Sequence, residues 1–232
     1  MLDTPPALTI RRTFQRPPRD AIAKLEGALT GQVADALGGL GALDAAIKPI
    51  AGAPSSMRSF VGPAFPCMNS PADQLALVGA LAYAEPGDVL VVGTEAYLGT
   101  AVIGDLMAGM LLNSGAAALV TDGAVRDTPG IIGVGLPVYC AGISPNSPQR
   151  NGPGTVGLAI SIGGVTVNPG DVVVGDGDGV VVVPQHAVDT VIGGVEEIRR
   201  QETEVEAKVK EGLTYPESWR AYLEPGAARF VD

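Results

Sequence analysis

Apolar residues along the chain follow two different spacings. In several segments they recur about every 3.6 positions, which is typical of an amphipathic helix. This spacing predicts one or two helices in residues 20–37 and further helices at 73–82, at 105–114 and from 187 to about 211. Shorter apolar runs bounded by turn residues predict strands at 59–65, 89–92, 116–120 and 136–140. Strands and helices therefore alternate through the first 140 residues, as in α/β proteins.

After residue 157 the pattern changes from alternating strands and helices to short strands and turns. Short β-rich runs occupy 160–162, 165–167, 172–174 and 180–183, with turns at 168–171 and 175–179. These runs predict a β-layer packed against the α/β part. The Gly-rich stretch 128–135 is expected to be a connection without regular structure.

The pattern divides the chain into three parts. Residues 1–18 are rich in Pro and Arg and are expected to form an extended N-terminal arm, while 19–185 form the α/β core that carries the candidate chemistry. Residues 186–232 form a long C-terminal helix and a tail. The helix has a narrow apolar stripe and a heavily charged outer face, which favours docking on a neighbouring subunit.

Composition narrows the classes of partner. The 232 residues suit one sizeable domain with extensions, and 46% of them are apolar, enough for a packed core. The net charge of −10 argues against a nucleic-acid backbone as the main partner, because binding phosphates needs a basic face. Any positive site must therefore be local and built from a few arginines or lysines.

The chain also lacks marks of secretion or membrane insertion. Cys67 and Cys140 are far apart and have no metal-type neighbours, so we expect two free thiols in a reducing compartment. The N-terminus has no signal-peptide pattern, and no apolar run approaches the ~18 residues of a membrane span. These features predict a cytoplasmic protein that does not bind membranes.

The first candidate site is the start of the helix at 105. Asp105 follows Gly104, and the free amides of Leu106 and Met107 would bind a substrate carboxylate with help from the helix dipole. Gly104 would let a ligand approach the backbone. The alternative is that Asp105 simply caps its helix, a position that Asp favours.

The second candidate is the pair Arg126 and Asp127, which follows a predicted strand and a tight Asp122-Gly123 turn. Ligand groups accumulate in loops at strand ends of α/β folds. Arg126 would bind a keto or carboxylate oxygen and hold enolate charge, and Asp127 would ligate Mg²⁺ or Mn²⁺. The alternative is a surface ion pair.

Other chemistries have little support. Asp176 and Asp178 lack the later Glu of a calcium loop and indicate a hairpin turn. His186 is the single histidine, which disfavours a zinc site or a Ser-His-Asp triad. The glycines at 38–41 match neither a dinucleotide fingerprint nor a P-loop. No lysine lies in the motif core, so an imine mechanism has no obvious carrier.

Taken together, the motifs resemble the 4-hydroxy-4-methyl-2-oxoglutarate aldolase family, which also includes the regulator of ribonuclease activity A. The matching segments span roughly residues 30–185 in order. They are DALGG at 35–39, PGDVLVV at 86–92, GDLMA at 104–108, TDGAVRD at 121–127, NPGD at 168–171 and GDGVVVVP at 177–184. The combination is specific, although each piece alone is weak.

The resemblance implies a swivelling β/β/α-type single domain with an extended C-terminal helix, assembled as homotrimers or homohexamers with sites between subunits. It implies a divalent-metal class II pyruvate aldolase that cleaves 4-hydroxy-2-oxo acids and has some oxaloacetate decarboxylase activity. Mg²⁺ or Mn²⁺ would be the cofactor and a small keto acid the substrate.

The resemblance also assigns roles to residues. Arg126 would stabilise the enolate, Asp127 would contact the metal, and Asp105 would hold metal-bound water and assist proton transfer. The amides of Leu106 and Met107, beside Gly104, would bind the pyruvate carboxylate. A glutamate of a neighbour's C-terminal helix would complete the site, with Glu202 the candidate among several glutamates of that helix.

The chain departs from the family in one loop. Many relatives have several glycines after the Val-Val strand, where this chain has Glu95 and Tyr97, so the exact substrate stays open. The alternative function is a non-catalytic regulator that binds another protein such as a ribonuclease, since a shared scaffold does not establish a shared activity. The long C-terminal helix, which the regulator branch lacks, favours the aldolase.

Overall fold

The computed structural model describes residues 6–224 and 226–231. The strands in chain order are β1 (Leu8–Ile10), β2 (Lys48–Pro49), β3 (Phe60–Asn69), β4 (Val89–Gly93), β5 (Ala101–Ile103), β6 (Ala118–Thr121), β7 (Ala124–Val125), β8 (Val138–Cys140), β9 (Gly142–Ile143), β10 (Gly154–Val156), β11 (Ile160–Ile162), β12 (Val165–Val167), β13 (Val172–Asp176) and β14 (Gly179–Val183). The α-helices are α1 (Arg19–Ala23), α2 (Thr30–Ala36), α3 (Leu75–Leu81), α4 (Asp105–Asn113), α5 (Thr128–Val134) and α6 (Val188–Lys210). Short 3-10 turns cover Ser55–Met57, Gln185–Ala187 and Glu217–Leu223.

The main sheet runs in the order β1-β10-β3-β4-β6-β8-β2, and the β13–β14 hairpin joins it through β3. Strands β3, β4, β6 and β8 are parallel. Every residue of β4 and β6 is buried, which explains their unbroken apolar runs, because a parallel strand is covered on both faces.

Apolar layers cover both faces of this sheet. On one face, α3, α4 and α5 pack Leu77, Leu111 and Ile131 against the strands. On the other face, Ile160 and Ile162 of β11 join Val89 and Val91 of β4 and the ring of Tyr139. The β13–β14 hairpin turns alternate valines to that layer and to α1, α2 and the first turns of α6, so it too is buried on both sides.

A second, smaller sheet joins β5, β7 and β9 in parallel. These strands were absent from the sequence prediction. Each is followed at its carboxyl end by a loop or helix start: Gly104 after β5, Arg126 after β7 and Ser144 after β9. This sheet therefore carries both candidate motifs.

The structure confirms the mixed α/β class and the long C-terminal helix. Three details of the sequence prediction were wrong. The stretch 128–135 contains helix α5, which has Pro129 in its first turn. The apolar spacing of the helix at 105–114 also predicts that Leu106 and Met110 face inward with Met107 and Leu111, but they are 78% and 52% exposed, and Ala108 and Leu111 are its buried residues. The hairpin β13–β14 extends the main sheet rather than forming a separate layer.

The chain divides into two compact units after Val195. The second unit, from Glu196 onward, holds the remaining turns of α6, where Val205 and Val209 are exposed, and a tail in which the rings of Tyr215 and Trp219 meet edge to face. The three-part division at residues 18 and 185, with the C-terminal part at a subunit interface, stays a prediction. In the part of the chain that the structure describes, no helix has both the length and the apolar character to cross a membrane.

Candidate functional site

Parallel pairing of β5 with β7 brings the two predicted motifs together. Ile103 lies opposite Val125, and the Arg126 amide donates to the Ile103 carbonyl at 3.0 Å. The chain leaves both strands at the same edge, where α4 and α5 begin. Gly104, Asp105, Arg126 and Asp127 therefore meet in one place.

Gly104 allows this close approach. A Cβ built at this position would lie 2.5 Å from Asp127 Oδ2 and 3.3 Å from Arg126 Nε, so any side chain would displace the carboxylate. Asp127 itself has φ 55° and ψ 40°, a left-handed conformation that Asp tolerates better than most residues, and it precedes the first residue of α5. The backbone at both positions serves to present the Asp127 carboxylate.

Asp105 is the first residue of α4, and Gly104 holds the N-cap position predicted for Asp105. Its Oδ1 accepts a hydrogen bond from the Leu106 amide at 2.8 Å. Its other oxygen lies against α5, because a Cβ at Gly130 would be 2.5 Å from Asp105 Oδ2. The Leu106 amide is thus already bonded, and it can receive a substrate carboxylate only after Asp105 turns away. The Met107 amide lies in the same helix turn.

The Arg126 guanidinium lies between two oxygen groups. Its Nε is 3.3 Å from Asp127 Oδ2, and its Nη1 donates to the hydroxyl of Ser147. The side chains of Arg126 and Asp127 are 36% and 47% exposed, so solvent screens their attraction and the pair itself adds little stability. Both groups remain accessible to a ligand.

A cavity of about 160 Å³ opens among these residues. Besides the predicted set, it is lined by Gln74 before α3 and by Pro148 and Arg150 of the loop after β9. Neither Gln74 nor Arg150 was predicted from the sequence. Arg150 lies in an irregular stretch rich in Pro and Asn, 24 positions after Arg126, and nothing local in the sequence links it to the site.

Asp122 stabilises the loop that departs from the family pattern. Its buried carboxylate accepts hydrogen bonds from the Thr94 amide at 2.7 Å, the Thr94 hydroxyl at 3.0 Å and the Ala96 amide at 2.9 Å. These bonds hold Glu95 and Ala96 at φ 56° and 55°. Glu95 and Tyr97 are exposed in this loop, and neither is among the described residues lining the cavity near Arg126.

The cavity offers few oxygen ligands to a hard cation such as Mg²⁺. Within residues 6–224 and 226–231, no group of three or more His, Cys, Asp or Glu side chains is placed to hold a metal ion. Asp105 and Asp127 offer carboxylates at the cavity, which fits Mg²⁺, since this ion is often held by one or two carboxylates with water and substrate completing its shell. Glu202 lies on an exposed stretch of α6 in the second unit, and its role toward another copy stays a prediction.

A second cavity, of about 560 Å³, lies beside the N-terminal arm. Its Arg16 is committed to the protein, because the guanidinium donates to both carboxylate oxygens of the fully buried Asp88 at 2.7 and 2.8 Å. The charge of Arg16 is therefore not available to a ligand in this cavity. The chemistry-bearing residues converge on the smaller cavity.

Comparisons with known sequences show which proteins the chain is similar to. A family model described as RraA-like, Aldolase/RraA, matches residues 30–182. A Halalkalibacterium halodurans protein with the provisional name 4-hydroxy-4-methyl-2-oxoglutarate aldolase is 33% identical over 205 residues, covering 88% of this chain and 94% of the relative.

Solved structures share the fold. RraAS2 from Streptomyces coelicolor, described as an unusual member of the RNase ES inhibitor RraA protein family, has a TM-score of 0.74 at 26% identity and covers 83% of this chain and 100% of its own. An uncharacterized protein from Pseudomonas syringae pv. tomato also has a TM-score of 0.74, at 25% identity over 87% of this chain and 97% of its own. The chain therefore belongs to the RraA-like (Aldolase/RraA) family.

Proposed function

We propose that the protein is a divalent-metal-dependent class II pyruvate aldolase. It cleaves 4-hydroxy-2-oxo acids of the 4-hydroxy-4-methyl-2-oxoglutarate type to pyruvate and a second carbonyl compound, and it also decarboxylates oxaloacetate. The observation that carries the proposal is the convergence of Arg126, Asp105 and Asp127 around one cavity beside the first turn of α4. A protein that only binds another protein has no need of this arrangement.

Each residue has a role in carbon–carbon cleavage. Asp127 would hold Mg²⁺ or Mn²⁺, which when bound supplies Lewis-acid polarisation of the keto group. Arg126 donates to the keto oxygen, where negative charge grows as the C3–C4 bond breaks and its electron pair enters the pyruvate enolate. The amides of Leu106 and Met107, next to Gly104, receive the pyruvyl carboxylate.

Asp105 is placed to move the proton. It accepts the proton of the C4 hydroxyl, directly or through water, and C3 of the enolate is then protonated to give pyruvate. For this step Asp105 must first leave its hydrogen bond with the Leu106 amide. When substrate carboxylate takes that amide, the Asp105 carboxylate is released toward the reacting hydroxyl.

The proposal extends to the assembly and its setting. The protein forms a homotrimer or homohexamer in the cytoplasm, and Glu202 of one copy completes the metal site of another. Among the described residues that line the cavity, Asp105 and Asp127 carry the carboxylates, which leaves room on Mg²⁺ for an oxygen ligand from a neighbouring chain. The net charge of −10 supports a small keto acid rather than a nucleic acid as the partner.

The alternative is a regulator that binds a ribonuclease. One observation favours it, namely the likeness to RraAS2, whose family is described as an RNase ES inhibitor family. Such a function would need a binding surface and would leave Arg126 and Asp127 without a role.

Pyruvate release from oxaloacetate separates these functions. The assay is run with protein and Mg²⁺, with protein and EDTA, and with Mg²⁺ alone to subtract the spontaneous reaction. We expect release that EDTA abolishes, that excess Mg²⁺ restores and that an Asp127→Asn variant largely lacks. A protein with no activity on oxaloacetate or on 4-hydroxy-2-oxo acids under these conditions would support the regulator.

A further inference from the structure

The loop after β9 holds one nitrogen of the Arg126 guanidinium. The hydroxyl of Ser147 accepts a hydrogen bond from Arg126 Nη1, while Asp127 Oδ2 lies 3.3 Å from Nε. The two contacts use different nitrogens, and Nη2 carries two further N–H donors. The guanidinium is therefore held at two points and still has donors for a ligand in the cavity that it lines.

The loop that carries Ser147 is itself fastened to the chain before β5. The Asn146 carbonyl accepts from the Ala101 amide at 3.0 Å, and the Asn146 side-chain amide donates to the Gly99 carbonyl at 2.8 Å. The hydroxyl of Ser144 donates to the same Gly99 carbonyl at 3.1 Å. The residue directly before Ser147 is thus bonded through both its backbone and its side chain.

Two prolines stiffen this loop further. Pro145 and Pro148 restrict their own φ angles, and each steers the residue before it away from the α region. Ser147 precedes Pro148, so few backbone conformations are open to it. Its hydroxyl is therefore held in place for Arg126 at a small cost in conformational entropy.

The two partners of Arg126 respond differently to a cation. Asp127 is the proposed metal ligand, and a carboxylate that faces Mg²⁺ holds Arg126 less well, since the dication repels the guanidinium. The hydroxyl of Ser147 is a neutral acceptor, which orients the guanidinium without neutralising it. Of the two contacts, the one with Ser147 does not depend on the metal.

We propose that Ser147 is a positioning residue that keeps Arg126 aimed at the keto oxygen while Asp127 holds the metal. This rests on the proposed function, because it takes the enolate to form beside Arg126. The hydroxyl retains Nη1, and Nη2 donates to the oxygen on which negative charge grows. Ser147 acts only through Arg126 and does not touch the reacting atoms.

Ligand binding tests this apart from turnover. Pyruvate presents a neutral keto oxygen, whereas oxalate is a flat dianion that resembles the pyruvate enolate and presents a charged oxygen in its place. Both are titrated by calorimetry in the presence of Mg²⁺. The variants are Ser147→Ala, Ser147→Thr, Arg126→Ala and the double variant of Ser147→Ala with Arg126→Ala. Ser161→Ala is the matched control, because this exposed serine of β11 does not line the cavity.

Wild type should bind oxalate more tightly than pyruvate. Ser147→Ala should weaken oxalate binding roughly tenfold, the effect of losing a hydrogen bond to a charged group, and change pyruvate binding by less than about twofold. Ser147→Thr keeps the hydroxyl and should match wild type, as should Ser161→Ala. The double variant should bind oxalate no more weakly than Arg126→Ala alone, since Ser147 has no effect once Arg126 is gone.

Steady-state kinetics give a second readout. With oxaloacetate, Ser147→Ala should lower kcat about tenfold and leave KM nearly unchanged, because the contact matters most once charge has developed on the enolate oxygen. A raised KM with kcat unchanged would contradict this role.

Three binding results would overturn the inference. Equal weakening of both ligands in Ser147→Ala would indicate a general structural role. A Ser147→Thr variant as weak as Ser147→Ala would mean that the hydroxyl is not the group that acts. Additive losses in the double variant would mean that Ser147 does not act through Arg126.

Failure of the proposed function gives a different result. The expected binding pattern in a protein that cleaves no oxo acid would contradict the proposed aldolase and leave the role of Ser147 intact. A wild-type protein that binds neither ligand would contradict both.

Discussion

Ile103 lies opposite Val125 in the parallel pairing of β5 and β7, and this register places Gly104 beside Arg126. The hydrogen bond from the Arg126 amide to the Ile103 carbonyl extends the pairing to the start of the site. A shift of one residue in either strand would point the next side chain to the opposite face. The alignment of two short strands therefore determines whether the cavity exists.

Arg126→Ala should lower turnover by at least ~10²-fold, because it removes a donor aimed at charge that develops in the transition state. The melting temperature should stay close to that of wild type, since the Arg126–Asp127 pair is partly exposed. Steady-state kinetics and thermal unfolding measure the two effects. Arg220→Ala, which removes a well-exposed arginine, is the control. Near-normal turnover in Arg126→Ala would defeat the assignment.

Gly130→Ala should impair catalysis by displacing Asp105. The new methyl would lie 2.5 Å from Asp105 Oδ2 and 2.7 Å from its Cβ, so the carboxylate must move. A shift of about 1 Å in a catalytic group can cost on the order of 10²-fold in rate. Gly133→Ala in the same helix meets nothing within 4 Å and should keep full activity, with stability equal or slightly raised. Equal activity in both variants would exclude a role for this contact.

Arg16→Met should destabilise the fold by about 3–5 kcal/mol, because it leaves the buried Asp88 carboxylate without its cation. Urea unfolding measures the change. Adding Asp88→Asn in the same chain should recover part of the loss, since the uncompensated charge is then gone. If Arg16→Met unfolds at the wild-type urea concentration, the arm does not neutralise Asp88.

The buried thiols should make the fold sensitive to alkaline pH. Burial raises the pKa of the Cys140 thiol from 9.0 to about 11, against a smaller opposing effect of the Gly142 amide, and burial raises the pKa of Cys67 further. The unfolded chain loses these protons first, so the free energy of unfolding should fall as pH rises from about 9 to about 11. Cys140→Ala should show a shallower decline in urea titrations across this range. An identical slope would mean that Cys140 titrates normally in the folded protein.

The sequence was sufficient to predict the strands and helices that bury a whole face. The valine runs of β4 and β14 and the helical spacing in the first turns of α6 follow directly from what each element packs against. Strands β7 and β9 were missed because two residues are too few to display a period, and β5 was missed although β11 and β12, which are equally short, were predicted. Helix α5 was missed because Gly130 and Gly133 lower its helix propensity, although Gly130 is needed to make room for Asp105.

The candidate site shows the same contrast between residues that a local pattern identifies and residues that only the tertiary fold brings together. Gly104, Asp105, Arg126 and Asp127 were predicted from local signals, namely a helix start at 104–105 and a charged pair after a strand and a tight turn, and their roles stay predictions. Gln74 and Arg150 are 76 positions apart and meet only through the bonds between the α3 start and the loop after β9. Pairing of this kind depends on the tertiary fold, which no local pattern reports.

The parallel pairing of β1 with β10, which sets Leu8 against Gly154, has a consequence for biosynthesis. A ribosome must add well over a hundred residues after Leu8 before its partner strand exists. Strand β1 therefore docks late, and until then the β10 side of β3 also lacks its neighbour. Nascent chains halted before residue 154 should expose that edge to chaperones, whereas chains long enough for β10 to have left the ribosome should not.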